Sequence, residues 1–245
     1  MSARAKGIIY GVGLGPGDPD LMSVRADRLV RNSRHIAFFR KLGRKGRARS
    51  IVDGMLRPDA IEFAMEYPVT TEIPLSDPRY NAILSEFYSE CTQRLCDLSS
   101  SGEDVVVLCE GDPFFYGSFM HLFTRLQTTC DVETVPAITG MSAAWTASGA
   151  PITWGDDILS TVMGTLHETA LTDAMTRADA LVVMKIGRNL PKVRRALAKA
   201  GKANRAILVE YASMEGQTVR PLSEFDGETL PYFSIIVVHG QGRRP

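Results

Sequence analysis

The chain has 245 residues, enough for one large α/β domain or for two domains of about 120 residues. Hydrophobic residues make up 44% and charged residues 23%, a globular composition that excludes a disordered or fibrous chain. Lys+Arg and Asp+Glu both number 28, so the net charge is zero and a non-specific nucleic-acid binder, which needs an excess of basic charge, is not expected. No apolar run approaches the ~18 residues of a membrane span. The basic start Met1–Lys6 is followed by Ile8-Ile9-Tyr10, which reaches glycine too soon for a signal sequence. A cytoplasmic protein with no nucleic-acid or membrane partner is expected.

Short apolar runs alternate with longer amphipathic stretches. The runs predict strands at Gly7–Val12, His35–Phe39, Ile61–Met65, Asp104–Cys109, Val132–Pro136, Ile158–Met163, Ala180–Met184, Ala206–Tyr211 and Tyr232–Val238. Val105-Val106-Val107-Leu108 and Ile235-Ile236-Val237-Val238 lack polar alternation, which suits strands covered on both faces. Helical spacing predicts helices at Leu21–Asn32, Tyr80–Leu98, Ser118–Gln127, Thr139–Ser148 and Leu190–Ala200. The alternation implies an α/β architecture. A domain boundary is expected after Pro136, dividing the chain into residues 1–136 and 137–245. The stretch Glu215–Leu230 reads as hairpins or irregular loops, so the second half is expected to carry mixed strands.

Four cysteines (Cys91, Cys96, Cys109, Cys130) are too few for a disulfide scaffold and miss the paired spacing of zinc sites. The four histidines are scattered, and no metal site is expected.

The first strand runs into Gly11-Val12-Gly13-Leu14-Gly15-Pro16-Gly17-Asp18-Pro19-Asp20. A glycine-rich loop after the first strand lets a ligand approach the backbone. It is not a dinucleotide fingerprint, because proline occupies position 16 and aspartate position 18 where the third glycine would fall. It is not a phosphate-binding P-loop either, since no Gly-Lys-Ser/Thr follows. Asp18 is expected to cap a helix that starts at Pro19. A second loop, Glu110-Gly111-Asp112-Pro113-Phe114-Phe115-Tyr116-Gly117, follows the Val105–Cys109 strand. On its own it would read as another Asp-Pro helix start with its aromatic residues in the core.

Together, the G-x-G-P-G-D-P loop and the later G-D-P-x-x-Y-G loop resemble those of the tetrapyrrole (corrin/porphyrin) methylase family. Pro136-Ala137-Ile138-Thr139-Gly140, Val183-Met184-Lys185, Val209-Glu210-Tyr211-Ala212 and Pro231-Tyr232-Phe233-Ser234-Ile235 extend the resemblance over nearly the whole chain. Glu110–Leu122 and Met184–Leu197 look most like the branch that methylates a precorrin on the route to cobalamin. The resemblance implies a two-domain α/β fold with S-adenosyl-L-methionine (SAM) in the interdomain cleft, S-adenosyl-L-homocysteine as product, and a homodimer. Two positions depart from the pattern. Ala137 stands where the family often has glycine, and Ala212 where some relatives do. If Ala137 needed a positive φ, alanine would cost about 1 kcal/mol or more.

Carried over position by position, the implied cofactor contacts are Pro16, Glu110, Gly111, Asp112, Phe115, Thr139, Gly140, Met184 and Ala212. Backbone groups of glycine and alanine would reach adenine and ribose, and Met184 would supply an apolar wall. Asp112 would bond the cofactor's amino or hydroxyl groups, or else cap the turn before Pro113. A polycarboxylate tetrapyrrole calls for cations around an apolar slot. Arg34, Arg40, Lys41, Arg44, Lys45, Arg47 and Arg49 make a local positive field, read either as a lid for the substrate's acidic arms or as a solvated basic loop. The candidate substrate contacts are Gly15, Asp18, Arg40, Arg44 and Arg47. A second cluster, Arg188, Lys192, Arg194 and Arg195, falls on a predicted helix and reads as a solvated face. Methyl transfer from a sulfonium needs positioning and the handling of one proton, so no Ser-His-Asp device is expected. Asp18, Tyr116, His167 and Lys185 are the candidate proton handlers, with no catalytic residue assigned. A tetrapyrrole carrier without activity is the alternative from another class.

Overall fold

The computed structural model describes residues 6–69 and 77–243. They form two compact units that divide between Thr139 and Gly140.

The first unit is built on a five-stranded sheet in the order β3-β2-β4-β1-β5, with every pairing parallel. Its strands are β1 (Ile8–Gly13), β2 (His35–Lys41), β3 (Ile61–Tyr67), β4 (Val105–Cys109) and β5 (Asp131–Val135). The unbroken apolar run of β4 has the expected cause, because both faces are covered. Val105, Val107 and Cys109 pack with Phe87, Leu95, Phe119, Leu122 and Leu126 from α3 (Pro78–Ser100) and α4 (Phe119–Leu126). Val106 and Leu108 face the other way, onto Ala26, Val30, Ala48 and Val52 from α1 (Val24–Asn32), α2 (Arg47–Ile51) and the turn after it.

The second unit has a sheet in the order β6-β7-β10-β8-β9, formed by β6 (Leu159–Met163), β7 (Ala180–Met184), β8 (Ala206–Glu210), β9 (Thr218–Pro221) and β10 (Ser234–Val238). Only β6 and β7 are parallel, and β10 runs antiparallel to both β7 and β8. This is the mixed sheet implied by the loop-like stretch after residue 215. Leu181, Val183, Leu208 and Ile236 meet α6 (Glu168–Arg177) and α7 (Leu190–Lys199). Val182, Val209 and Val237 face α5 (Gly140–Ala147).

The nine strands read from the sequence all form, to within two residues at their ends. Helices α2 and α6 were not anticipated, while β9 falls in the stretch read as hairpins or irregular loops. Helix α2 lies inside the basic stretch, where Gly43 and Gly46 hide it. Helix α6 is rich in threonine and buries only Leu171 and Met175. Strand β9 is a four-residue edge. The helix expected at Leu21–Asn32 is split: Pro19–Leu21 form one 3-10 turn, and α1 starts afresh after Ser23, whose hydroxyl accepts the Ala26 N–H at 3.1 Å.

Gly11 lies in the middle of β1 because Phe119 fills the space beside it. A Cβ at position 11 would fall 2.2 Å from the Phe119 ring. Gly11→Ala is expected to destabilise the protein by about 1–3 kcal/mol. Phe119→Leu should relieve that clash, so the double variant should lose less than the sum of the two single ones in urea unfolding.

Candidate active site

In the first unit, β1 and β4 are neighbours and Gly13 pairs with Cys109, so the two glycine loops leave the sheet side by side. The Leu14 N–H donates to the Cys109 carbonyl at 2.9 Å. The Gly111 N–H donates to the Gly15 carbonyl at 2.8 Å, making a one-residue antiparallel bridge between the loops. Gly15 (φ 81°) and Gly111 (φ 69°) adopt backbone angles that side chains oppose. Gly13 is required by space: a Cβ there would lie 2.6 Å from Ala137 Cβ and 2.8 Å from the Gly111 carbonyl oxygen. Beside Gly111 a Cβ would meet nothing within 4 Å, so this stretch presents bare backbone to open space.

The aspartates of both loops act on the backbone. Asp18 Oδ1 accepts the Asp20 N–H at 2.9 Å, the expected cap. Asp112 accepts the Phe114 N–H at 2.9 Å through Oδ1 and the Ala137 N–H at 3.0 Å through Oδ2. No helix starts at Pro113. A tight turn follows, and α4 begins only at Phe119. Asp112 thus ties its own loop to the segment that ends the unit, where Thr139 lies. Ala137 is not among the residues with positive φ, so alanine carries no penalty there. Of the loop aromatics, Phe114 and Tyr116 are 46% and 47% exposed, which removes them from the core.

Glu110 is half-buried between these glycine turns and the start of α2. Burial pushes its carboxyl up to about 7, against the opposing field of Arg47. Three cations of the basic stretch are paired with carboxylates of β3 and of the turn after α2. Arg40 pairs with Glu66 at 2.7 Å, Arg49 grips Glu62 with two nitrogens and also meets Asp53, and Lys45 pairs with Asp53. Arg44 is exposed in the turn after β2. In the second basic cluster Arg195 bonds Glu168, while Arg194 donates to the Phe225 carbonyl. His167 precedes α6 and makes no side-chain cap.

In the second unit, Met184 ends β7 and Ala212 follows β8. Both pack on the α5 side of the sheet with Met141 and Ile235, and Gly140 opens α5 with its missing Cβ 3.7 Å from Ile235. The structure therefore brings Gly140, Met184 and Ala212 to one apolar face. Among the described residues, four that are not glycine have positive φ: Tyr116 (55°), Lys185 (52°), Tyr211 (54°) and Ser213 (61°). All lie in loops after β4, β7 or β8, where such strain costs about 1–3 kcal/mol each. Sequence reasoning missed Tyr211 and Ser213, because neither side chain advertises the conformation. The Ser213 hydroxyl is buried with no hydrogen-bond partner, beside Ala212. Within the second unit, an apolar wall thus lies near a buried hydroxyl that has no hydrogen-bond partner.

Among the described residues there is no cluster of three or more metal-ligating side chains. A cavity of about 330 Å³ lined by His35, Ile61, Phe63, Arg94 and Asp97 lies at the opposite, amino end of the first sheet. It is remote from the loops.

Residues 8–226 match the family model described as tetrapyrrole (corrin/porphyrin) methylases. The chain belongs to the tetrapyrrole methylase family. It is 42% identical over 245 residues, the full length of both chains, to the precorrin-2 C(20)-methyltransferase of Sinorhizobium sp. It is 41% identical to the cobalamin biosynthesis protein CobIJ of Mycobacterium bovis, spanning all of this chain but 48% of that protein. The cobalt-precorrin-2 C(20)-methyltransferase of Salmonella typhimurium is 28% identical, with 96% of this chain and 97% of that one covered. Among solved structures, the uroporphyrin-III C-methyl transferase of Thermus thermophilus, complexed with S-adenyl homocysteine, superimposes with a TM-score of 0.67. That match covers 95% of this chain and 92% of the other at 21% identity, and it shows the methylase fold.

The Glu110 carboxyl supplies a stability test. The folded protein holds its proton up to about pH 7, whereas an unperturbed glutamate releases it near 4.5. The folded state therefore binds more protons between these values. The site's contribution is complete below pH 4.5 and is lost as the pH rises towards 7. Glu110→Gln should match the parent near pH 4 and exceed it by about 1–2 kcal/mol near pH 8, after discounting for partial exposure. Urea unfolding across that range would show it, and equal curves at every pH would refute the buried-proton reading.

Proposed function

We infer that this protein transfers the methyl group of SAM to C-20 of precorrin-2, giving precorrin-3A in cobalamin biosynthesis. The observation that carries the reading is the full-length 42% identity to a precorrin-2 C(20)-methyltransferase. The metal-free substrate is preferred to the cobalt form because the relative named for cobalt-precorrin-2 is more distant, at 28%.

When bound, SAM supplies an electrophilic methyl on a sulfonium, and this chain's own residues position and desolvate the reactants. The proposed cofactor contacts are Pro16, Glu110, Gly111, Phe115 and Thr139 from the first unit, with Gly140, Met184 and Ala212 from the second. Asp112 holds its loop in place. Gly15, Arg44 and Arg47 are the proposed contacts for the acidic arms of the tetrapyrrole. Arg40 is bound to Glu66 and Asp18 to its own turn, so both serve as framework. Tyr116 and Lys185, held in strained turns, are the proposed proton handlers. A cytoplasmic homodimer is the form proposed to act; no helix among the described residues is long and apolar enough to cross a membrane.

The deciding experiment is a single turnover with methyl-labelled SAM and anaerobically generated precorrin-2, read by mass spectrometry and carbon NMR. One new methyl at C-20 is expected. Transfer to cobalt-precorrin-2 alone would reassign the substrate, and tetrapyrrole binding without SAM affinity would make the chain a carrier. Arg44→Ala is expected to raise KM for the tetrapyrrole about five- to tenfold at low salt, with SAM affinity unchanged.

A further inference from the structure

The turn that carries Ala212 is strained on both sides, since Tyr211 and Ser213 each have positive φ. What holds it can be traced bond by bond. At its base, the buried Glu210 carboxylate accepts the Thr218 hydroxyl at 2.9 Å and pairs with Arg220, which closes the β8–β9 hairpin. The Tyr211 N–H donates to the Phe233 carbonyl at 2.8 Å, and the Met214 N–H donates back to Tyr211 at 2.8 Å. The Ser213 N–H, inside the strained stretch, has a different kind of partner: the side-chain oxygen Oε1 of Gln217, at 2.7 Å. The Gln217 N–H in turn donates to Met214 at 3.2 Å. Gln217 is exposed to solvent, so its amide is not placed there by packing.

We propose that Gln217 is a positioning residue that latches the 211–217 turn and so sets the backbone of Ala212 for the cofactor. The proposal rests on the reading of Ala212 as a SAM contact. A solvent-exposed amide contributes little to global stability, yet here it accepts the backbone N–H of the strained Ser213 itself, beside Ala212. Without the latch, residue 213 relaxes towards negative φ and Ala212 turns away from the face it shares with Met184. Glutamate at 217 keeps an acceptor oxygen and should latch as well. Methionine keeps the length of the side chain and removes the acceptor.

The test is calorimetric binding of S-adenosyl-L-homocysteine to the full chain and to Gln217→Met and Gln217→Glu, with the thermal midpoint of each. Gln217→Met is expected to bind about five- to tenfold more weakly, the equivalent of one net hydrogen bond. Gln217→Glu should bind within about twofold of the parent, and the midpoints should stay within a few degrees. Unchanged binding by Gln217→Met would overturn the latch. Equal weakening in both variants, accompanied by a fall in midpoint, would also overturn it by showing a merely structural role. Failure of the parent itself to bind S-adenosyl-L-homocysteine would instead overturn the methyltransferase reading on which the latch depends.

Discussion

The bridge between Gly15 and Gly111 is the constraint around which the first unit is arranged. It requires β1 and β4 to be adjacent and parallel, so that both loops emerge at one end of the sheet. It requires Gly13, because any side chain there would push against Ala137 and Gly111. It also puts Asp112 within reach of Ala137, so that the second loop and the end of the unit are tied by one carboxylate. A parallel sheet gathers strand carboxyl ends on one edge. At the bridge itself, that edge presents the bare backbone of Gly111 to open space.

The second unit solves a related problem differently. Its candidate contacts lie on one apolar face backed by α5, and its loops combine positive-φ glycines, Gly187 and Gly216, with strain at residues that are not glycine. Glycine at Lys185, Tyr211 or Ser213 would remove the steric cost but add backbone freedom. A strained side-chain residue held by several hydrogen bonds gives one conformation, which matters more for a cofactor contact than the energy stored.

Much of this was legible in the chain. The uninterrupted Val105–Leu108 run announced a strand buried on both faces, and the glycine loops announced close backbone approach, since few other residues permit either. Helix α6 was not legible, because threonine and aspartate dilute its apolar stripe to Leu171 and Met175. The fate of the basic stretch was hidden too. Arg40 meets Glu66 only through the register of β2 against β3, and Arg49 meets Glu62 only because α2 packs beside β3 in the fold. Linear charge clustering could not tell which of the seven cations are paired in the fold. Tyr211 and Ser213 escaped notice because the usual signal for positive φ is glycine, and here that signal is absent.

The position of β10 has a consequence for how the protein is made. Among the described residues it is the last strand, yet it lies in the centre of its sheet, between β7 and β8. During synthesis the first unit's strands are all available long before it, so that unit can close while the ribosome is still working. The second unit has to wait. Until residues 234–238 are available, β7 and β8 have no strand between them, and their inner edges expose unpaired backbone. A nascent chain paused in this interval would present two sticky edges flanking a missing strand, and it is there that chaperones would have the most to protect.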